Sequence, residues 1–306
     1  MSFGARLDEA VRRARTPLCV GLDPRWESLP LTLRLAHGDG NRPHDMANAA
    51  AAYESFCLSV LELVAPFTAI VKPQMAFFEG CGPKGLKAMR RIIARARDMG
   101  LLVILDAKRG DIASTATAYA EAAFGGTAFG NATLSVWQAD ALTVNPYLGE
   151  DAVAPFIAEA RKSGAGLFVL VRTSNPGAGL FQDLVCDEEP LWKHVAHRVA
   201  EWNQPGVDAS GWGDVGAVVG ATYPEELAWT RQACPRVPLL VPGYGAQGAS
   251  LESLKAAFRA DGTGAVINSS RAILFPGPSN APDWKDRIAT AASDTSAALA
   301  AIAGLS

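Results

Sequence analysis

A short segment with two carboxylates around a lysine is the strongest chemical signal in the chain. It reads Asp106-Ala-Lys108-Arg-Gly110-Asp111, and the apolar run 101–105 comes directly before it. Successive side chains of a strand alternate between its two faces, so Asp106 and Lys108 are expected on the same face. Gly110 permits a sharp turn before Asp111. Carboxylates on both sides would hold the ammonium of Lys108 charged and fixed in place.

An ammonium held in this way suits some reactions and not others. A lysine that forms a Schiff base has to be neutral, so Lys108 is a poor candidate for that role. It is well suited to donating a proton as a general acid and to stabilising a developing carbanion. The alternative for an isolated Asp-x-Lys pair is a structural salt bridge at a strand end. Polar groups after the other apolar runs favour the functional role.

Two further charged side chains follow earlier apolar runs. Lys72 comes directly after the run 69–71, and Asp23 comes shortly after the run 18–21. The structural alternatives are a lysine whose head group reaches solvent, for Lys72, and an aspartate that caps a helix, for Asp23. We expect both residues to point into the same cluster as Asp106.

The last third of the chain carries the features of a phosphate site. The glycine-rich segment Gly243-Tyr-Gly245-Ala-Gln247-Gly precedes a helical pattern, and Arg271 follows the last apolar run. Backbone N–H groups at the start of a helix bind phosphate, and a guanidinium binds it in a bidentate manner. The loops after strands seven and eight are the usual phosphate site of a (β/α)8 barrel.

The elements that would position these residues repeat regularly along the chain. Short apolar runs alternate with longer segments of helical periodicity, which is typical of parallel strands covered on both faces. Eight such units predict a closed (β/α)8 barrel as one domain over residues 1–306. The alternative is an open doubly wound sheet, but no Gly-x-Gly-x-x-Gly follows the first run. The runs are 18–21, 69–71, 101–105, 141–144, 166–171, 215–219, 237–241 and 264–267.

Three segments rich in Gly, Pro, Asp and Asn interrupt this rhythm, at 29–43, 175–190 and 203–214. They are interpreted as loop insertions rather than linkers, because the strand–helix alternation resumes after each one. Two histidines, His194 and His197, lie three residues apart with Glu201 four residues further on. That helix belongs to the outer ring, so a solvated helix face is expected there and no metal site.

Composition excludes several classes of protein. Of the 306 residues, 49% are hydrophobic and 19% are charged, so a sizeable core is expected and disorder is not. A net charge of −3 gives no sign of a nucleic-acid or membrane-surface partner. No unbroken apolar run reaches the roughly 18 residues of a membrane helix. Residues 1–16 alternate charges and lack a signal-peptide core, which predicts a cytoplasmic protein. The 5 cysteines include no Cys-x-x-Cys pair, so neither disulfides nor structural zinc are expected.

The segment Asp106-x-Lys108-x-x-Asp111-Ile112, with Lys72 on the preceding strand, resembles the active-site signature of the orotidine 5′-phosphate decarboxylase family. The resemblance runs from residue 23 to residue 271, which is nearly the whole predicted barrel. The insertions and the segment Lys72-Pro-Gln-x-Ala-Phe-Phe-Glu are similar to the longer bacterial branch of that family. The resemblance implies decarboxylation of orotidine 5′-phosphate to UMP and CO2 in pyrimidine biosynthesis, without a cofactor.

The resemblance also implies a role for each site residue. Lys108 would protonate C6 of the pyrimidine as CO2 leaves, and Asp106 would lie beside the departing carboxylate. Lys72 and Asp23 would hold the ribose hydroxyls, and Ser174 would contact the pyrimidine ring. A homodimer with shared active sites is implied as well. Three residues would reach the partner's site across the interface, and they are Asp111, Ile112 and Thr115.

For the phosphate, the resemblance implies contacts from Gln247, Ser270 and Arg271, and it adds Pro242 to the substrate-binding set. In the family the arginine often follows a glycine and precedes a serine. Here Arg271 stands between Ser270 and Ala272. The sequence therefore departs from the family pattern at Ser270, where the backbone would contact the phosphate.

Two other functions remain open. Keto-sugar-phosphate decarboxylases and hexulose-phosphate synthases share the Asp-x-Lys-x-x-Asp signature but use Mg²⁺ and an enediolate. The segment beginning at Ser174 and the length of the chain favour the pyrimidine enzyme. A non-catalytic phosphometabolite-binding protein is the alternative from another class, although binding alone has no use for an ammonium held between carboxylates.

Overall fold

The computed structural model describes residues 1–245 and 250–305. Within them, eight parallel strands close into a barrel in the order β1-β8-β7-β6-β5-β4-β3-β2. Every one of the eight predicted apolar runs contributes one strand, so the predicted (β/α)8 barrel is confirmed. The strands are β1 Leu18–Leu22, β2 Ile70–Pro73, β3 Leu102–Arg109, β4 Ala141–Val144, β5 Gly166–Arg172, β6 Val215–Val219, β7 Leu239–Pro242 and β8 Ala265–Ser269.

Helices connect the strands and form the outer ring, and short 3-10 turns follow several of them. The helices are α1 Phe3–Ala14, α2 Leu31–His37, α3 Met46–Val64, α4 Met75–Glu79, α5 Gly82–Asp98, α6 Ala113–Ala123, α7 Glu150–Lys162, α8 Gly179–Gln182, α9 Leu191–Asn203, α10 Pro224–Ala233, α11 Leu251–Leu254, α12 Arg271–Leu274 and α13 Trp284–Ala303. The 3-10 turns are Trp26–Ser28, Ala65–Phe67, Gln204–Gly206 and Lys255–Ala257.

The core lies on both sides of the barrel wall. Along β3, Ile104 points into the barrel, while Leu105 packs against the surrounding helices. β5 alternates in the same way, with Phe168 inside and Leu167 outside. Burial on both faces explains why the strand sequences are continuously apolar rather than alternating.

The amino-terminal helix closes the lower end of the barrel. Phe3, Leu7 and Val11 of α1 are buried against the interior side chains of the strands. The Phe3 ring meets Phe168 edge to face, with ring centroids 5.8 Å apart. Gly166 makes this approach possible, because a Cβ at that position would lie 2.1 Å from the Phe3 ring. A site inside the barrel therefore has to open at the carboxyl-terminal mouth.

The three predicted insertions carry small elements of their own. α2 lies in 29–43, and 203–214 opens with a 3-10 turn. The segment 175–190 holds α8 and a hairpin of Val185–Cys186 with Glu189–Pro190. A second hairpin, Thr127–Phe129 with Ala132–Leu134, was not predicted. Its strands are short and largely exposed, so they leave no apolar pattern in the sequence.

One helix is long and apolar enough to cross a membrane by length and composition alone, and with the turn that follows it spans Met46–Phe67. Its sequence is not an unbroken apolar run, because Glu54 and Glu62 interrupt it. Phe56 and Val60 on the inner face of this helix are fully buried in the barrel core. A helix that packs against the core of a barrel can have the same length and apolar composition without crossing a membrane.

We expect Phe3→Ala to destabilise the protein by about 3–5 kcal/mol, because it opens a cavity between α1 and the barrel interior. Phe129→Ala is the matched control, since Phe129 is 62% exposed, and it should cost less than about 0.5 kcal/mol. Urea unfolding followed by circular dichroism measures both values. Equal losses for the two variants would show that α1 does not stabilise the barrel.

Candidate active site

A cavity of about 900 Å³ opens at the carboxyl-terminal mouth of the barrel. Charged side chains from β2 and β3 form one wall, and apolar side chains from α8 and α9 form the opposite wall. Five residues predicted for the site line this one cavity. They are Lys72, Asp106, Lys108, Ser174 and Pro242.

The centre of the charged wall is a carboxylate shared by two lysines. Lys72 Nζ lies 2.5 Å from Asp106 Oδ2, and Lys108 Nζ lies 2.6 Å from Asp106 Oδ1. The side chains of Lys72 and Asp106 are almost fully buried, whereas that of Lys108 is 47% exposed. Lys108 is therefore the cation of this group that a ligand in the cavity can reach.

This arrangement corrects the expectation that two carboxylates of one chain flank Lys108. Asp111 makes no salt bridge within residues 1–245 and 250–305, and its Oδ1 accepts a hydrogen bond from the N–H of Ile112 at 2.8 Å. The expectation was wrong because Asp111 lies beyond Arg109, where β3 ends, so strand alternation no longer orients its side chain. Within one chain, the cluster therefore consists of two ammonium groups, those of Lys72 and Lys108, around the one carboxylate of Asp106.

The opposite charges outweigh the cost of burial in this group. Burial alone would raise the pKa of Asp106, but Lys72 and Lys108 hold that pKa well below its usual range. Burial alone would lower the pKa of Lys72, but the carboxylates of Asp106 and Asp23 raise it above its usual value. Asp106 and Lys72 are therefore both ionised at neutral pH.

Strand alternation alone does not explain why Lys108 and Asp106 meet. Lys108 has a φ of 47°, in the left-handed region that non-glycine residues rarely adopt. The pairing of β3 with β4 shifts register between Leu105 and Arg109, which marks a bulge. The prediction of a shared face was right in outcome, but the bulge rather than a regular strand aims the Lys108 side chain.

A threonine on the neighbouring strand holds this bulge. Thr143 Oγ1 accepts hydrogen bonds from the backbone N–H groups of Ala107 at 3.1 Å and Lys108 at 2.9 Å. The same hydroxyl donates to Asp106 Oδ1 at 3.0 Å. The sequence reading missed Thr143, and its only signal was a polar residue inside the apolar run 141–144.

Asp23 lies beside the cluster and joins β1 to β8. Ser270 Oγ donates a hydrogen bond to Asp23 Oδ2 at 2.5 Å. The other carboxylate oxygen, Oδ1, is buried and has no hydrogen-bond donor among the described residues. Gly21 permits this contact, since a Cβ there would lie 2.9 Å from the Cβ of Ser270. The Ser270 hydroxyl thus bonds to Asp23, whereas the phosphate contact predicted for Ser270 was through its backbone.

The loops after β7 and β8 lie against each other. Gly243 and Gly245 have φ values of 102° and 83°, a conformation that favours glycine. A Cβ on Gly245 would lie 3.3 Å from the Cβ of Ala272, so this loop adjoins the first turn of α12. Arg271 begins that helix and is exposed. Gln247 lies outside the described residues.

The other predicted contacts to the substrate lie away from the cavity of their own chain. Ile112 is 56% exposed, and Thr115 is exposed in the first turn of α6. Neither lines the cavity. Within the described part of the chain, no group of three His, Cys, Asp or Glu side chains is placed to hold a metal ion. His194 instead contacts the carbonyl oxygen of Cys186 at 2.7 Å.

Two further residues at the mouth were missed, and both tie the 175–190 insertion to β5. Gln182 accepts a hydrogen bond from the N–H of Thr173 at 3.0 Å and donates to the Thr173 hydroxyl at 2.8 Å. The buried guanidinium of Arg172 stacks on Tyr223 at 4.0 Å and lies 2.7 Å from Asp183 Oδ1. These contacts hold α8 over the cavity next to Ser174. The contacts to the insertion join residues about ten positions apart through an irregular loop, so no strand or helix periodicity predicted them.

Comparison with known proteins gives a consistent answer. A family model described as "Orotidine 5'-phosphate decarboxylase / HUMPS family" matches residues 16–281. A curated orotidine 5′-phosphate decarboxylase of Rhodopirellula baltica is 48% identical over 275 residues, covering 90% of this chain and 89% of the relative. One from Deinococcus radiodurans is 41% identical with the same coverage.

Solved structures are similar over nearly the full length. The Leishmania donovani OMP decarboxylase shares 36% identity and a TM-score of 0.75, covering 99% of both chains. A putative orotidine 5′-phosphate decarboxylase of Streptomyces avermitilis shares 37% identity and a TM-score of 0.78, covering 99% of this chain and 96% of the other.

We expect Asp106→Asn to lower the free energy of unfolding by about 3 kcal/mol at pH 7, because it leaves Lys72 buried without its carboxylate partner. The folded pKa of Asp106 lies below its unfolded value, so this contribution is present above about pH 4 and is lost as the pH falls further. The difference between wild type and variant should shrink by about 1 kcal/mol between pH 6 and pH 3.

Urea unfolding at a series of pH values measures this difference. The exposed Asp98→Asn variant serves as the control and should show no loss of comparable size. A wild-type advantage that stays constant down to pH 3 would contradict the depressed pKa of Asp106.

Proposed function

Because the chain belongs to the orotidine 5′-phosphate decarboxylase / HUMPS family, we propose that it converts orotidine 5′-phosphate to UMP and CO2, with Lys108 as the proton donor to C6. The chain is then a carboxy-lyase of pyrimidine biosynthesis. The observation that carries the proposal is the Lys72–Asp106–Lys108 group on the wall of a cavity large enough for a nucleotide.

The reaction needs fixed positive charge next to the reacting carbon. When the bond between C6 and the carboxyl carbon breaks, the electron pair stays on C6, and the ring offers no group that delocalises it. A preorganised ammonium is a direct way to stabilise such a charge. Lys108 has one N–H directed at Asp106, and its exposed head group leaves the remaining protons free for C6. The proton that moves to C6 leaves Lys108 neutral until solvent restores it.

Asp106 and Lys72 prepare Lys108 for this step. Asp106 fixes the Lys108 ammonium, and in the proposed complex it also lies beside the departing carboxylate. Lys72 is almost fully buried next to it and balances its charge, so the carboxylate stays ionised without solvent. Asp23 adds a second carboxylate near Lys72, with one oxygen unused among the described residues, and this supports its proposed role as a ligand of the ribose hydroxyls.

We assign the phosphate to the paired loops after β7 and β8. Gly245 adjoins α12, where Arg271 presents an exposed guanidinium suited to a bidentate contact. Gly243, Pro242 and Gln247 belong to the same proposed loop site. The phosphate lies far from C6, so its binding energy can align the pyrimidine ring without touching the reacting bond.

We also propose that the chain acts as a homodimer in the cytoplasm, with Asp111, Ile112 and Thr115 reaching the partner's cavity. Ile112 and Thr115 are exposed and Asp111 is half-buried around the start of α6, which supports this proposal. Tyr119 on the same helix adds an exposed aromatic ring, which is 40% accessible. Exposed apolar groups of this kind are typical of protein interfaces.

A spectrophotometric assay tests the reaction. In excess EDTA, wild-type protein should remove the orotate absorbance of orotidine 5′-phosphate and yield UMP. Lys108→Ala should abolish turnover while UMP binding is retained, because Lys108 acts on the reacting carbon. Lys87→Ala, at an exposed position of α5, is the matched control and should remain active.

Other outcomes would reassign the chain. Activity on a keto-sugar phosphate only after Mg²⁺ is restored would indicate the hexulose-phosphate branch of the family. Tight UMP binding without turnover by the wild type would indicate a binding protein. Equal loss of turnover and UMP affinity in Lys108→Ala would show that Lys108 serves binding or folding.

Subunit mixing tests the shared site. Lys108→Ala and Asp111→Asn homodimers should each be nearly inactive. After mixing and exchange, half of the dimers are hybrids, and each hybrid has one intact site, so about a quarter of wild-type activity should return. No recovery, despite hybrids detected by mass spectrometry, would show that Asp111 does not act across the interface.

A further inference from the structure

We propose that Thr143 is a positioning residue, whose hydroxyl fixes the geometry of Lys108 and Asp106 together. The inference rests on the proposed function, since it assigns Thr143 to the same proton-transfer step. Thr143 lies on β4, with 1% of its surface exposed, and it touches both members of the pair.

The hydrogen-bonding capacity of a hydroxyl group explains why this contact is directional. A threonine hydroxyl has one proton and two lone pairs. The N–H groups of Ala107 and Lys108 use both lone pairs. The single proton must therefore point at Asp106 Oδ1, which lies 3.0 Å away. This oxygen has to accept, so the contact requires an unprotonated Oδ1 that is turned towards β4.

The same oxygen receives the ammonium of the proton donor. Lys108 Nζ donates to Asp106 Oδ1 at 2.6 Å, so Thr143 and Lys108 share one acceptor atom. Lys72 donates to the other oxygen, Oδ2, at 2.5 Å. The carboxylate is thus held at both oxygens, and Thr143 is its one uncharged partner among the side chains described here.

Thr143 also holds the backbone that carries the lysine. The ladder between β3 and β4 is interrupted between Leu105 and Arg109, and Lys108 adopts its left-handed φ of 47° within that gap. Two consecutive N–H groups converge there on one hydroxyl oxygen. One side-chain atom therefore links the strained backbone of Lys108 to the orientation of its carboxylate partner.

Two substitutions separate this role from simple packing. Thr143→Val keeps the shape of the side chain and removes the hydroxyl, whereas Thr143→Ser keeps the hydroxyl and removes the methyl group. We expect Thr143→Val to lower kcat about 10-fold to 100-fold, because a proton donor displaced by about 1 Å loses up to about two orders of magnitude. UMP affinity should change less than about 3-fold, and Thr143→Ser should restore most of the rate.

Thr230→Val is the matched control. Thr230 is fully buried in α10, and its hydroxyl donates to the Glu226 carbonyl at 2.7 Å, far from the cavity. Its kcat should stay close to wild type. Equal kcat values for Thr143→Val and Thr143→Ser would overturn the proposal. So would a parallel loss of kcat and UMP affinity, which would indicate a role in folding or binding.

A crystal structure of Thr143→Val separates this inference from the reaction itself. The expected result is a changed Lys108 backbone and a Lys108 Nζ displaced from Asp106 Oδ1. If the variant keeps both, the positioning role is wrong whatever the protein catalyses. A wild-type protein without decarboxylase activity would refute the proposed function, while the structure of the variant would still decide whether Thr143 holds Lys108.

Discussion

The carboxylate of Asp106 is buried, and the surrounding residues at the barrel mouth have to stabilise its negative charge. A charge removed from water is costly unless opposite charges and hydrogen-bond donors surround it. Lys72 and Lys108 supply the charges, and Thr143 supplies a further donor. These partners come from three adjacent strands, so the site can form only when β2, β3 and β4 are paired in register. Charge balance and strand pairing are therefore inseparable here.

The remainder of the fold keeps this group rigid and accessible from one side. The Phe3 face of α1 closes the lower end, and the interior below the site is filled with apolar side chains. At the upper end, contacts of Arg172 and Gln182 hold α8 beside the cavity. Preorganised charge contributes most when it does not need to rearrange during the reaction. A barrel that is closed at its lower end and bordered by α8 at its open mouth satisfies that condition.

Sequence reasoning was most reliable where the signal is local. Continuous apolar runs predicted each strand within a few residues, because burial on both faces imposes the same composition along a whole parallel strand. It failed for the short exposed hairpin at 127–134, which buries almost nothing. It also failed for Asp111, because strand periodicity does not extend beyond Arg109, where β3 ends.

The sequence by itself determined the barrel, the family and the identity of the charged residues at the strand ends. Only the tertiary structure decided which of them pair. It paired both Lys72 and Lys108 with Asp106 and left Asp111 outside this group, linked the Ser270 hydroxyl to Asp23, and brought Thr143 to the bulge at Lys108. The physical reason is range: composition and periodicity act over neighbouring residues, whereas these contacts join strands that are tens to hundreds of residues apart in the chain.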